Sequence, residues 1–122
     1  MGSFLLTLRR SFVADHFHDL PGFVEARHGH NWEIAATALL EREDEDQPFE
    51  AQLEAWVASV DYTLLNDQLR LLGRNPTAES LAEWAYQQLS EGCVKVVSVR
   101  IREKANYWAE VANSSGLDEG AA

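Results

Sequence analysis

The chain is poor in cysteine. Cys93 is its one copy among 122 residues, which excludes an internal disulfide and fits a reducing compartment, the cytoplasm by default. Positive charge is scarce as well: 10 Lys and Arg stand against 20 Asp and Glu, a formal net charge of -10. That balance argues against nucleic acid or a membrane surface as partner, while a local cluster could still bind a small anion. No run approaches the ~18 apolar residues of a membrane span. The opening MGSFLLTLRRSF places its short apolar run before its charges, unlike a secretory signal. Histidine is also rare, but its four copies are gathered: His16, His18, His28 and His30 fall in one stretch.

That stretch carries the chemistry. Residues 4–14 alternate as a first strand, with Leu6, Leu8, Arg10, Phe12 and Ala14 on one face and His16 on the same parity. Asp19-Leu20-Pro21-Gly22 is a turn, and 23–27 a short connection. Residues 30–41 form the second strand, with His30, Trp32, Ile34, Ala36, Ala38 and Leu40 on one face. Side chains two apart on a strand share a side, so His28 and His30 project together, about 6–7 Å apart at ~3.3 Å of rise per residue. Two imidazoles alone describe a solvated strand as well as they describe a metal site. If the two strands form a hairpin, His16 or His18 meets the pair. A third ligand gives a three-histidine metal centre with an open position.

The remainder supplies a frame. Glu41 to Asp46 is an acidic turn. Residues 48–59 form a helix with Phe49, Leu53, Trp56 and Val57 in one stripe. A second helix, 77–91, is capped by Asn75 or Thr77, buries Leu81, Trp84, Ala85, Gln88 and Leu89, and ends at Gly92. Strand 94–102 puts Val97, Val99, Ile101 and Glu103 on one face and Val94, Val96, Ser98, Arg100 and Arg102 on the other. Glu103 thus ends an apolar face, where a carboxylate needs a partner. Residues 106–111 make a fourth strand, and 114–122 a small, polar, disordered tail. The order ββααββ predicts one α+β domain over 1–113: an antiparallel sheet with two helices on one face.

Five pieces in order resemble the family of 6-pyruvoyl-tetrahydropterin synthase and 6-carboxy-tetrahydropterin synthase, the latter of queuosine biosynthesis. They are Phe12-x-Ala14-x-His16, His28-Gly29-His30-Asn31-Trp32, Val60-Asp61-x-x-x-Leu65-Asn66, Asn75-Pro76-Thr77-x-Glu79-x-x-Ala82-x-Trp84 and Val99-x-Ile101-x-Glu103. The resemblance implies a tunnelling fold (T-fold), its barrel closed by oligomerisation into a trimer or hexamer with sites between subunits. It implies Zn2+ on His16, His28 and His30, with His18 outside the ligand set. It also implies a pterin substrate held by Glu103 at the amidine edge of the ring. An ordinary salt bridge from Glu103 to Arg100 or Arg102 is the alternative.

Two departures bear on activity. The family's catalytic cysteine would stand at Val24 or Gly22, and the histidine that tunes it at Tyr62. Glu25 is the first candidate for the missing base, with His18, Asp15 and Tyr62 behind it. Tyr62 more simply fills the space of the lost imidazole. Asp61 either orients a catalytic neighbour or caps its loop. Arg27, or Arg70 and Arg74 from another subunit, could meet substrate phosphates. The resemblance therefore implies a zinc-dependent synthase homologue, a lyase if active, that acts on or binds 7,8-dihydroneopterin triphosphate or a related pterin with altered activity. The alternatives are a non-catalytic zinc- and pterin-binding protein, or an enzyme of the same fold with another pterin or purine reaction.

Overall fold

The computed structural model describes residues 2–70 and 72–113; the expected tail, 114–122, and the Arg70 side chain lie outside the described residues. In chain order the elements are β1 (Phe4–Leu20), β2 (Phe23–Leu40), α1 (Asp46–Val60), β3 (Thr63–Leu64), α2 (Leu65–Arg70), α3 (Ala78–Ser90), β4 (Lys95–Lys104) and β5 (Tyr107–Ala112). The sheet runs β3-β1-β2-β4-β5. Its four long strands are antiparallel, as expected, and the two-residue β3 joins β1 in parallel at Ala14 and Asp15.

The long hairpin extends further than its alternation suggested. Residues 23–27, expected as a connection, are strand, and β1 continues through its histidines to a tight turn at Pro21-Gly22. Gly22 sits at φ +81°, a left-handed conformation that glycine adopts without steric cost. Proline at the preceding position fixes its own φ for such a turn.

One face of the sheet is covered. Phe12, Trp32, Ile34, Ala36, Ala38 and Leu40 are buried against Phe49, Leu53, Trp56 and Val60 of α1 and Leu81, Ala82, Ala85 and Leu89 of α3. Val60, not Val57, completes the α1 stripe. Thr77 caps α3, its hydroxyl accepting from the Ser80 N–H at 3.1 Å. Phe12 stacks on Trp32 at 6.0 Å and meets the edge of Trp56 at 5.6 Å.

The faces of β4 depart from plain alternation. The register shifts between Thr37–Ser98 and Ala38–Val96, so Val97 is an extra residue and Val96 joins Val99 and Ile101 in the core. Such a bulge resets alternation, and periodicity alone does not reveal it.

Candidate metal and substrate site

β1 and β2 pair through the histidines, with Ala14 opposite His30 and His16 opposite His28. Cross-strand partners share a face, so three rings meet on the covered side, beyond Phe12 and Trp32. The His16 ring centre lies 4.6 Å from that of His28 and 5.0 Å from that of His30, and the latter two are 4.5 Å apart. One ligand nitrogen from each lies within 4.8 Å of the others. The structure thus brings together the three expected ligands.

Hydrogen bonds determine which nitrogen is available. His16 Nδ1 lies 2.8 Å from the Pro76 carbonyl oxygen, and His28 Nδ1 lies 2.8 Å from that of Ala26. An Nδ1 bonded to a carbonyl carries the proton, which leaves Nε2 of the neutral ring as a bare lone pair. The two Nε2 atoms nevertheless stand 3.0 Å apart, and the buried Nε2 of His30 has no hydrogen-bond partner. Lone pairs so gathered call for a cation among them. Tetrahedral zinc at about 2.0–2.1 Å from nitrogen spaces its ligand atoms about 3.3–3.4 Å apart. The donor set therefore fits zinc in type, and the 3.0 Å between the Nε2 atoms of His16 and His28 lies near that spacing.

Burial pushes His16 and His30 below the ordinary histidine value of 6.5, with nearby Glu103 opposing the shift. Both are therefore neutral, and able to ligate, near pH 7. As pH falls below 6.5 the unfolded chain takes up protons that these folded imidazoles refuse. Metal-stripped protein is expected to be stable above that value and to weaken below it, by up to about 1.4 kcal/mol per pH unit for each histidine. Urea midpoints at pH 7.5 and 5.5 check this; equal midpoints would refute it.

Glu25 reaches the same face through a second bulge. Between the pairs His16–His28 and His18–Glu25 lies one residue of β1, Phe17, and two of β2, Ala26 and Arg27. Plain alternation would send Glu25 to the opposite side from His28. Instead its Oε1 lies 3.3 Å from His28 Nε2 and 3.8 Å from His18 Nε2.

A third bulge, between Arg102 and Lys104, carries Glu103. Its side chain is 12% exposed, with Oε1 3.6 Å from His16 Nε2. Neither arginine offered as an alternative partner takes it: Arg100 pairs with Glu110 at 3.4 Å and Arg102 with Glu33 at 3.1 Å. A cavity of about 280 Å³ opens between these groups, lined by Glu25, Glu103, His18 and Lys104, with Glu79 from α3 and Tyr107 from β5. The Tyr107 hydroxyl donates to Glu79 at 2.5 Å. That bond holds the Glu79 carboxyl below its usual range and raises the Tyr107 phenol. Tyr107 and Glu79 gave no sequence signal as a pair, because a strand and a helix bring them together.

The Val60-Asp61-x-x-x-Leu65-Asn66 motif is a clamp on the outer edge of β1. Asp61 Oδ1 accepts the Val13 N–H at 2.8 Å, and the Tyr62 N–H donates to the Val13 carbonyl. Asn66 accepts the Phe17 N–H at 2.9 Å and donates to the Phe17 carbonyl at 3.0 Å. With β3 between them, these contacts hold Val13 to Phe17, the segment that presents His16. Asp61, expected as catalytic, binds backbone and is not among the residues lining the cavity. Tyr62 does not fill an imidazole's space: it is 83% exposed at φ +58°. Replacing Asn66 with Ala leaves two backbone groups of Phe17 without their partner. The expected cost is about 2 kcal/mol, read as a lower denaturation midpoint together with weaker metal binding. An unchanged midpoint would show that solvent replaces the clamp.

Arg27, expected at the substrate, faces away. Its Nε pairs with Asp15 Oδ2 at 2.9 Å, on the side where a Cβ on Gly29 would come within 2.8 Å of Asp15 Oδ1. Alternation puts these odd-numbered neighbours opposite the rings of His28 and His30. Arg74 pairs with Glu83 at 2.6 Å. Cys93 is exposed, beyond the end of α3. Among the described residues no helix is long and apolar enough to cross a membrane.

Comparison with known proteins identifies the family and the fold. Residues 5–114 match the sequence profile of 6-pyruvoyl tetrahydropterin synthase. A provisionally assigned 6-carboxy-5,6,7,8-tetrahydropterin synthase from Archaeoglobus fulgidus is 29% identical over 114 residues, covering 88% of this chain and 94% of that protein. The 6-pyruvoyl tetrahydropterin synthase of Caenorhabditis elegans superposes with a TM-score of 0.77 at 15% identity, over 93% of this chain and 97% of that one. A Plasmodium vivax 6-pyruvoyltetrahydropterin synthase, in which a catalytic glutamate is replaced by cysteine, superposes with a TM-score of 0.69 at 12% identity, over 93% and 99% of the two chains. The profile over nearly the whole length and the superposition agree: the fold is the tunnelling fold, and the chain belongs to the 6-pyruvoyl tetrahydropterin synthase family.

Proposed function

We propose that this chain is a zinc-dependent enzyme acting on 7,8-dihydroneopterin triphosphate or a related dihydropterin, with Glu25 as its base. The observation that carries this reading is convergence. Glu25 and Glu103 line one cavity of about 280 Å³, their Oε1 atoms lie 3.3 Å from His28 Nε2 and 3.6 Å from His16 Nε2, and a bulge is needed to turn Glu25 onto that face. His16, His28 and His30 would hold the ion through nitrogen. A zinc ion bound there would supply Lewis acidity to a substrate oxygen.

The chain's own groups do the rest. Glu103, largely buried and paired at 3.9 Å with the exposed Lys104 rather than with an arginine, would turn its two oxygens to the amidine edge of a pterin, a bidentate charge-assisted match. That contact fixes the ring and directs its side chain toward the histidines. Glu25 is then placed to take a proton from the substrate's side chain. The P. vivax enzyme, described with a catalytic glutamate, is a precedent for a catalytic carboxylate in a related enzyme. Asp61 and Asn66 act at one remove, by holding the strand that presents His16. Arg27, turned away from the rings here, could meet phosphates only at a neighbouring subunit's site. We propose such neighbours as well: a homo-oligomer, trimer or hexamer, supported by exposed Trp108 on the edge strand and exposed Tyr62 and Val24.

The test is product analysis. Zinc-loaded and metal-stripped protein are incubated with 7,8-dihydroneopterin triphosphate and the pterins separated by chromatography. A zinc-dependent product is expected, and its identity distinguishes side-chain cleavage from triphosphate elimination. The absence of a thiol at the cavity favours one second reading, a pterin-binding protein or one with another pterin or purine reaction. Unchanged substrate with saturable pterin binding would establish that reading in place of the first.

A further inference from the structure

Five donor side chains crowd one end of the long hairpin, more than one three-histidine centre uses. His16, His18 and Glu25 form a second set whose ligand atoms also lie within 4.8 Å of one another. His18 and Glu25 are direct cross-strand partners, placed so by the bulge at Ala26-Arg27, and their closest ligand atoms are 3.8 Å apart. The His18 ring centre is 4.9 Å from that of His16. The geometry points to a second position for the same divalent ion, held by His16, His18 and Glu25 and exclusive of the position held by His16, His28 and His30. This rests on the metal-site reading above and extends it.

Exclusivity follows from His16. Its Nδ1 is committed to the Pro76 carbonyl at 2.8 Å, so a neutral ring has one lone pair left and can serve one ion at a time. The protein therefore takes one ion per chain, not two. The two positions differ in chemistry. In the first, Glu25 is free to act as a base. In the second, the ion occupies that carboxylate, and the base is masked until the ion moves or substrate draws it away. Two nitrogens and one oxygen also make a harder donor set than three nitrogens, one that tolerates manganese or magnesium better than the first set does.

Titration with Co2+ tests this, with affinity, stoichiometry and the visible absorption of the bound ion as readouts. Wild-type protein is expected to bind one Co2+ per chain. His30→Ala removes only the first set. It is expected to keep one Co2+, about 10- to 100-fold weaker, with a changed visible band because an oxygen donor has replaced a nitrogen. Adding His18→Ala or Glu25→Gln to His30→Ala is expected to weaken binding by at least a further ~10-fold, while His18→Ala alone has little effect. Circular dichroism of each metal-stripped variant confirms that it is folded. A His30→Ala variant that binds no Co2+, or double variants that bind as tightly as His30→Ala, would overturn the second position while leaving the first intact. Wild-type protein that binds no Co2+ would instead refute the metal-site reading itself.

Discussion

Replacing His16 with alanine is expected to abolish metal binding at micromolar concentration, a loss of affinity on the order of 1,000-fold, or about 4 kcal/mol. No other residue is so central. His16 is 1% exposed, and its ring centre lies within 5.1 Å of those of His18, His28, His30 and Trp32. It belongs to both ligand sets, so no alternative triad remains once it is gone. Its loss also leaves a buried void and frees the Pro76 carbonyl, so lower stability will accompany the lost affinity. His28→Ala separates the two effects. The His28 side chain is 32% exposed, and its removal opens little buried space. A weakening of about 100-fold is expected with a nearly unchanged denaturation midpoint. Metal content after dialysis and calorimetric titration measure both variants. Stoichiometric zinc retained by His16→Ala would refute the site.

The second large effect concerns Glu25. Glu25→Gln keeps the shape of the side chain and removes its basicity. It is expected to lower turnover by about 100- to 10,000-fold, the range for loss of a general base, with one zinc still bound per chain. Turnover and metal content must be measured on the same preparation. Loss of both would make Glu25 chiefly a ligand, and loss of neither would move the base to another group at the cavity, such as His18. The expectation rests on geometry: Glu25 Oε1 is 3.3 Å from a ring nitrogen of His28 and lines the cavity that Glu103 closes.

Much of this protein is legible in its sequence because its signals are local. The strand alternation around Phe12 and Trp32, the helical stripe of Phe49, Leu53 and Trp56, and the cap at Thr77 depend on neighbours in the chain. Each appears where the pattern places it. The histidines were legible for the same reason: a His-x-His pair on a strand must share a face, and a hairpin returns His16 to it. Glu103 stood out as a carboxylate ending an apolar face, and it is largely buried beside His16.

What the sequence could not determine are shifts of register. One extra residue in a strand reverses every later alternation and changes no composition. Three bulges do this here. One turns Val96 into the core, one turns Glu25 onto the histidine face, and one, at Glu103, brings Lys104 to the cavity beside it. Long-range pairing was equally out of reach. Asp61 reads as the orienter of a catalytic neighbour or as a loop cap until the Val13 N–H is seen to bind it, and Arg27 reads as a phosphate ligand until Asp15 is seen to pair with it. Asn66 gripping Phe17 across 49 positions, and Tyr107 bonded to Glu79, are contacts that only the folded chain creates. The sequence by itself determined which groups this protein has for chemistry and the strands that carry them. The tertiary structure decided which way those groups face, because facing depends on bulges and on partners distant in the chain.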